Sequence, residues 1–276
     1  MGNSQPQNKT GKKATIKKLE NAEKLGILSL SEHSLEHVPE QVFSSELSKL
    51  RTLDLSKNSL TRLGRIDKLR ELKSLNVEQN HLPSGSLDPI VSCSKLQNLV
   101  AGGNKLGQST TGNSENSISA LPESIRQLNL SSNFLSNVPK AIHSPPLLKL
   151  EKLDLSKNRL TSLPIELSYL CNLQDLNLDD NEIVRLSEDF GRLRTLKALS
   201  LRNNKLTVVS TIFSDKNPQP LPKSLFENTL LIDLNLHGNK LTNTQLNEFE
   251  GFKAFLDRRQ KVKSKTMSNL SVCGLN

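Results

Sequence analysis

Leucine recurs along the chain at fixed offsets with polar residues between: Leu50, Leu53 and Leu55 precede Asn58 and Leu60, and Leu150, Leu153 and Leu155 precede Asn158 and Leu160. The pattern Leu-x-x-Leu-x-Leu-x-x-Asn-x-Leu occurs nine times, its central pairs being Leu28/Leu30, Leu53/Leu55, Leu75/Val77, Leu99/Ala101, Leu128/Leu130, Leu153/Leu155, Leu176/Leu178, Leu199/Leu201 and Leu234/Leu236. Apolar residues two apart share one face of a strand, so the spacing predicts nine short strands. The position that closes each strand reads His33, Asn58, Asn80, Asn104, Asn133, Asn158, Asn181, Asn204 and Asn239, at intervals of 25, 22, 24, 29, 25, 23, 23 and 35 residues. A side-chain amide both donates and accepts, so it can satisfy turn backbone groups and repeat as a ladder between neighbouring units. One unit cannot bury its leucines alone, whereas nine stacked units bury them against each other; the period predicts a solenoid.

Composition sharpens this picture. The 276 residues include 52 leucines against 8 Phe, 1 Tyr and no Trp, an interior suited to one recurring slot and unlike an ordinary enzyme core. The formal charge of +9 resides in two tails: residues 1–24 carry +4, residues 252–276 carry +5, and the intervening segment holds 25 basic and 25 acidic residues. A neutral body argues against a continuous phosphate-binding face, and no nucleic-acid partner is expected; basic tails suit an anionic membrane surface. No apolar run is long enough to span a bilayer and the N-terminus has no apolar leader, so the expected location is the cytoplasm. Cys93, Cys171 and Cys273 are far apart, which indicates neither a disulfide framework nor a zinc site, and Cys93 and Cys171 are expected to be small buried hydrophobes.

The repeat resembles the leucine-rich repeat superfamily, in its intracellular type whose second half reads x-x-Leu-Pro-x-x-Ile/Leu. That half is present as Val38-Pro39-Glu-Gln-Val42, Leu121-Pro122-Glu-Ser-Ile125, Val138-Pro139-Lys-Ala-Ile142 and Leu163-Pro164-Ile-Glu-Leu167. The opening Met1-Gly2-Asn3-Ser4, the lead-in from Glu20 to Leu30 and the close from Gly238 to Phe252 are similar to small myristoylated members of that superfamily. The resemblance implies an α/β horseshoe: a parallel concave sheet, about nine repeats and helical caps at both ends.

The expected organisation is a flexible basic tail over 1–11, an N-terminal helical cap over 12–25, repeats over 26–242, a C-terminal cap over 243–262 and a flexible basic tail over 263–276. In the first cap Ile16, Leu19, Ala22 and Leu25 fall at helical spacing before Gly26; in the second, Leu246, Phe249, Phe252 and Leu256 do so, with Phe255 beside them. Two insertions are expected, a polar loop near 107–117 and an extended, proline-rich segment near 211–223 with Pro218, Pro220 and Pro222.

In such a sheet the residue after the first strand leucine faces the concave surface. This gives a mainly polar stripe of Ser29, Asp54, Asn76, Val100, Asn129, Asp154, Asn177, Ser200 and Asn235. An acidic cluster of Asp154, Asp175, Asp179 and Asp180, flanked by Lys157 and Arg202, is the candidate partner-binding face, suited to a basic segment of another protein; the plain alternative is a solvated face. Gly102 and Gly103 suggest a recess or an irregular repeat. Gly2 is placed for N-myristoylation although Pro6 stands where Ser or Thr is favoured, and Cys273-Gly-Leu-Asn276 has the length of a prenylation box with an atypical end. The five histidines are scattered and no catalytic or phosphate-loop motif occurs, so no enzyme activity, cofactor, metal or small-molecule substrate is expected. The function expected is a protein-interaction scaffold, lipid-tethered to a cytosolic membrane face and serving signal transduction; the alternative is an untethered regulator of a small GTPase or phosphatase.

Overall fold

A computed structural model describes residues 18–108, 118–208 and 219–272. Nine three-residue strands form one parallel sheet in chain order: β1 (Ile27–Ser29), β2 (Thr52–Asp54), β3 (Ser74–Asn76), β4 (Asn98–Val100), β5 (Gln127–Asn129), β6 (Lys152–Asp154), β7 (Asp175–Asn177), β8 (Ala198–Ser200) and β9 (Asp233–Asn235). The register aligns Leu28, Leu53, Leu75, Leu99, Leu128, Leu153, Leu176, Leu199 and Leu234 in a single row. All but Leu234 are at most 2% exposed, so each coil closes the core of its neighbour. Burying a leucine contributes roughly 1.5–3 kcal/mol, and the row multiplies that term.

The asparagine ladder forms as the spacing predicts. Asn58 accepts from the amides of His33 and Leu35 in the preceding coil, both at 3.0 Å, and donates to the carbonyls of Leu30 and Leu55 at 2.9 Å. Asn80, Asn104, Asn133, Asn158, Asn181, Asn204 and Asn239 likewise bond a backbone carbonyl of the coil before. The first position has no coil behind it among the described residues and needs no such bond, which is why His33 is tolerated there. The residue before each ladder position is left-handed: Glu32, Lys57, Gln79, Gly103, Ser132, Lys157, Asp180, Asn203 and Gly238 have φ between 52° and 75°. Only two of the nine are glycine. The rest are held there although this conformation costs an L-residue roughly 1–2 kcal/mol, because the amide reaches the next coil, as in Lys57 N–H to Glu78 O at 2.8 Å.

The outer half of each coil is a short turn or helix. Pro39, Pro139 and Pro164 directly precede the 3-10 turn Glu40–Phe43, α2 (Lys140–His143) and the 3-10 turn Ile165–Tyr169, and their carbonyls accept the amides of Val42, Ile142 and Leu167. Pro222 does the same for Leu225 at the start of α3 (Lys223–Asn228), and Leu221 is fully buried. The expected extended insertion near 211–223 therefore stops short: Leu221 and Pro222 are a further Leu-Pro half-repeat. Residues 209–218, with Pro218, lie outside the described residues, as do 109–117 of the polar loop.

The N-terminal cap is a helix, α1, over residues 18–25, ended by Gly26 at φ 69° with its amide on Ala22 O. Ala22 is buried and Leu19 half-buried, but Leu25 is 68% exposed, against expectation. The helix stops there, so Leu25 sits on its last turn facing water. Ile16 is outside the described residues. At the other end the expected single cap helix is two: α4 (Asn243–Glu248), opened by a Thr242/Gln245 capping box, and α5 (Phe252–Val272), separated by a break at Gly251 with φ 80°. A side chain at Gly251 would meet Lys223 O at 3.0 Å, so the chain needs glycine there. This break rotates α5 so that Phe255 is 2% exposed and Leu256 41%, the reverse of the expected face. Phe252 packs edge-on to Phe226 at 5.4 Å and stacks on Phe255 at 5.5 Å. The Arg258 guanidinium donates to Phe226 O at 2.6 and 3.0 Å and to Leu231 O at 3.1 Å, and burial draws its pKa down. Helix α5 also runs past the expected end at 262, because its basic stretch has no glycine or proline to stop it.

Candidate concave binding surface

Alternation along each three-residue strand points its central leucine inward and its two flanking residues onto the concave face. The stripe residue at the strand end folds back on its own turn. Asp54 Oδ1 accepts from Ser56 N at 3.0 Å, Asn76 from Glu78 N at 3.0 Å, Asn129 from Ser131 N at 2.8 Å, Asp154 from Ser156 N at 2.9 Å, Asn177 from Asp179 N at 3.1 Å and Asn235 from His237 N at 3.2 Å. These are Asx turns, which explains why the stripe is acidic or amidic: the side chain must accept a hydrogen bond two residues on. Val100 has no acceptor for this bond, and the hydroxyls of Ser29 and Ser200 turn to other partners, Ser29 Oγ to Asp54 Oδ2 and Ser200 Oγ to Asp179 Oδ1. At Ser200 the deficit is met from the neighbouring coil, where Asp179 Oδ1 accepts from both Ser200 Oγ at 2.5 Å and Arg202 N at 2.8 Å.

The six candidate partner-binding residues thus divide. Asp154 and Asp175 lie on adjacent strands and line one shallow hollow of about 370 Å³ together with Asn98, Val100, Gln127 and Lys152. Asp179, Asp180, Lys157 and Arg202 stand beyond the strand ends on the turn rim. Asp179 is occupied in bridging coils, and Asp180 Oδ1 accepts from Asn203 Nδ2 at 2.7 Å. Lys157 and Arg202 are exposed. Of the residues that precede the strand leucine, the sequence pointed to Asp175 alone and left out Asn98, Gln127 and Lys152, to which the same alternation points. The expected recess at Gly102/Gly103 resolves into turn geometry: Gly103 fills the left-handed slot, and a side chain at Gly102 would approach Ser131 Oγ to 2.8 Å.

Along the turn rims acids and bases pair between consecutive coils: Lys57 with Glu32 at 2.6 Å, Lys95 with Glu71 at 2.7 Å, Arg126 with Glu151 at 2.5 Å and Lys205 with Glu182 at 2.6 Å. Hydrogen bonds from the lysines hold the Glu32, Glu71 and Glu182 carboxyls below the usual range, and donating to Glu32 raises Lys57. These pairs offset part of the basic and acidic surface. The thiols differ from expectation in one case. Cys93 is buried, donates to Ile66 O at 3.5 Å and has its pKa pushed up to about 11 by burial. Cys171 is exposed. Cys93 lies six residues before the strand leucine, a core slot that Leu170 takes in the seventh coil; Cys171 is one residue out of register and faces outward.

Among the described residues no three His, Cys, Asp or Glu side chains are grouped to hold a metal ion, and no helix is long and apolar enough to cross a membrane. Gly2 and Cys273, the two candidate lipid sites, lie outside the described residues.

A family model described as "Leucine rich repeat" matches residues 23–82 and 149–206. The fold is a leucine-rich repeat solenoid. A curated relative is Toll-like receptor 10 of Bos taurus, 40% identical over 78 residues, which are 28% of this leucine-rich repeat protein and 9% of the receptor. Among solved structures, an internalin (InlF) of Listeria monocytogenes covers 86% of this chain with a TM-score of 0.63 at 19% identity, the match taking in 61% of the internalin. The leucine-rich repeat ectodomain of the Arabidopsis thaliana membrane receptor kinase GASSHO1/SCHENGEN3, solved in complex with Casparian strip integrity factor 2, covers 83% of this chain with a TM-score of 0.59 at 27% identity. The match occupies 28% of that receptor chain, so the leucine-rich repeat protein shares its repeat architecture and only part of the length of these relatives.

Proposed function

We propose that this leucine-rich repeat protein is a non-catalytic scaffold that holds a segment of another protein on its concave sheet. The observation that carries the reading is the hollow across β4 to β7, where Lys152 and Asp154 of β6 and Asp175 of the adjacent β7 stand beside amide side chains and the apolar Val100. Such a row offers charge, hydrogen bonds and one apolar contact at the spacing of successive strands, roughly 4.8 Å, which suits an extended segment with a basic residue facing the two aspartates. The plant receptor ectodomain of similar fold, solved with its bound factor, supports the architecture as a protein-binding one. The double variant D154N/D175N tests it: an amide at position 154 retains the turn-closing acceptor oxygen, so the fold is kept while two charges are removed. Affinity capture followed by mass spectrometry is expected to lose a binding protein that the wild type retains; unchanged capture by the variant overturns the concave reading.

A tether forms the second part of the proposal. The opening Met1-Gly2-Asn3-Ser4 and the lead-in to the first repeat resemble leucine-rich repeat-containing protein 57, and the lysines at 9, 12, 13, 17 and 18 would supply the electrostatic partner that one acyl chain needs at an anionic leaflet. On this reading the protein works at a cytosolic membrane face in a signalling assembly. Intact mass and membrane partition, with Gly2→Ala and Cys273→Ser controls, decide it: a fatty-acyl mass lost in G2A is expected, and an unmodified, wholly soluble protein overturns it.

A further inference from the structure

The open edge of the sheet carries an inference that does not depend on the concave reading. Eight times along the solenoid the amide two residues after the strand leucine donates to the next coil: Leu30, Leu55, Val77, Ala101, Leu130, Leu155, Leu178 and Leu201 do so at 2.7–2.9 Å. Leu236 holds the ninth such position, and among the described residues no tenth strand follows β9. The two ends are not equally covered. Leu28 and Leu30 of the first coil are 1% and 0% exposed, whereas Leu234, Leu236, Leu241 and Leu246 of the last are only partly buried. Helices α4 and α5 leave a groove of about 400 Å³ beside β9, floored by those leucines and Phe252 and rimmed by the exposed Leu256.

We propose that this edge pairs with the same edge of a second copy, the two β9 strands running antiparallel about a two-fold axis at Asn235. By the pattern of the other coils, the backbone groups of Leu234 and Leu236 point to the open side, so this register sets each Leu234 against Leu236 of the second copy as a hydrogen-bonded pair. The same register sets each Asp233 across from His237 of the other copy, a carboxylate opposite an imidazole, with both side chains exposed. The strand is thus complementary to itself in backbone hydrogen bonding, in apolar contact and in setting a carboxylate acceptor against an imidazole donor, the condition for an isologous contact. An unprotected strand edge otherwise invites indiscriminate pairing, and a two-fold closes it. Because an antiparallel pair keeps the faces of a sheet, both concave surfaces open on the same side of the dimer.

Light scattering on the full chain across a dilution series is expected to show a mass twice the 30.6 kDa of one chain. H237D puts a carboxylate opposite Asp233, and D233K puts an ammonium opposite His237; each is expected to weaken association at least about tenfold. D233K/H237D restores the complement and is expected to recover the dimer. Should either single variant lose its fold by circular dichroism, Asn235→Cys in a C171S/C273S background reads the register directly. Asn235 faces its own copy across the axis, so oxidised glutathione is expected to link two chains at that position. A monomer at every concentration, association unmoved by H237D, or no N235C cross-link overturns the proposal, and a monomer would leave the edge to an extended strand of another protein.

Discussion

Two columns of asparagine and aspartate run the length of this solenoid four residues apart, and they behave differently. The inner column, Asn58 to Asn239, is buried in all but its last member and bonds the coil behind. The outer column, Asp54 to Asn235, closes its own turns at the edge of solvent, with a further bond between coils, from Ser29 Oγ to Asp54 Oδ2 at 3.3 Å. From the second coil onward the inner column has no exception, whereas the outer one is interrupted at Val100 and Ser200. A side chain that satisfies a buried group in another coil has no substitute, because water cannot reach the orphaned amide; one that closes a local turn can be replaced by water or by a neighbour. The proposed binding surface therefore draws on the column that tolerates change.

The largest expected effect tests the inner column. Asn158→Ala removes the acceptor of the Asn133 and Leu135 amides and the donor to the Leu130 carbonyl, all near 3.0 Å, and is expected to cost about 3 kcal/mol in urea unfolding. Asp179→Ala tests the rim residue that bridges coils beside the outer column. Losing two bonds at a part-buried site is expected to cost about 1.5 kcal/mol, and Asp179→Asn, which keeps the acceptor, about half of that. Val100→Asn would install the absent Asx turn by offering an acceptor to Gly102 N; thermal unfolding is expected to be unchanged or stabilised by up to about 0.5 kcal/mol. A loss larger than that would show that Val100 is held for packing. The smallest effect belongs to the rim pairs. Glu32, Glu71 and Glu182 have lowered pKa values when folded, so their contribution is present above the ordinary carboxylate range and is lost as pH falls through the folded values; raised Lys57 contributes below its ordinary range and loses it as pH rises through the folded value. Between about pH 5 and 9 melting is expected to stay flat on their account, with a shallow decline below roughly pH 4 that salt reduces.

Periodicity explains why so much was legible before any coordinates. Each strand sits on its leucine pair and each ladder bond on its asparagine, because nine copies of one pattern average out local ambiguity. Where a residue is singular, the reading failed. Leu25 and Leu256 fit a helical period but fall on the wrong side of Gly26 and Gly251, whose φ no period encodes. Cys171 misses a core slot by one residue. Leu221 and Pro222 were hidden in a proline-rich stretch whose composition outweighed its register. That Asp154 closes its own turn and Asp179 bridges two coils was not legible, since an aspartate already bonded within the fold and one that waits for a partner look alike in sequence.

The ladder also has a mechanical consequence. Among the described residues each inner coil is hydrogen-bonded to its two neighbours and to nothing more distant, so tension applied between the two ends loads every interface in series, as in a chain of springs. Rupture then starts at the least supported interface, that of β8 with β9, where the outer strand lacks a second neighbour and its leucines are only half covered. Extension would proceed in instalments of one coil, 22–35 residues each, from the C-terminal end inward.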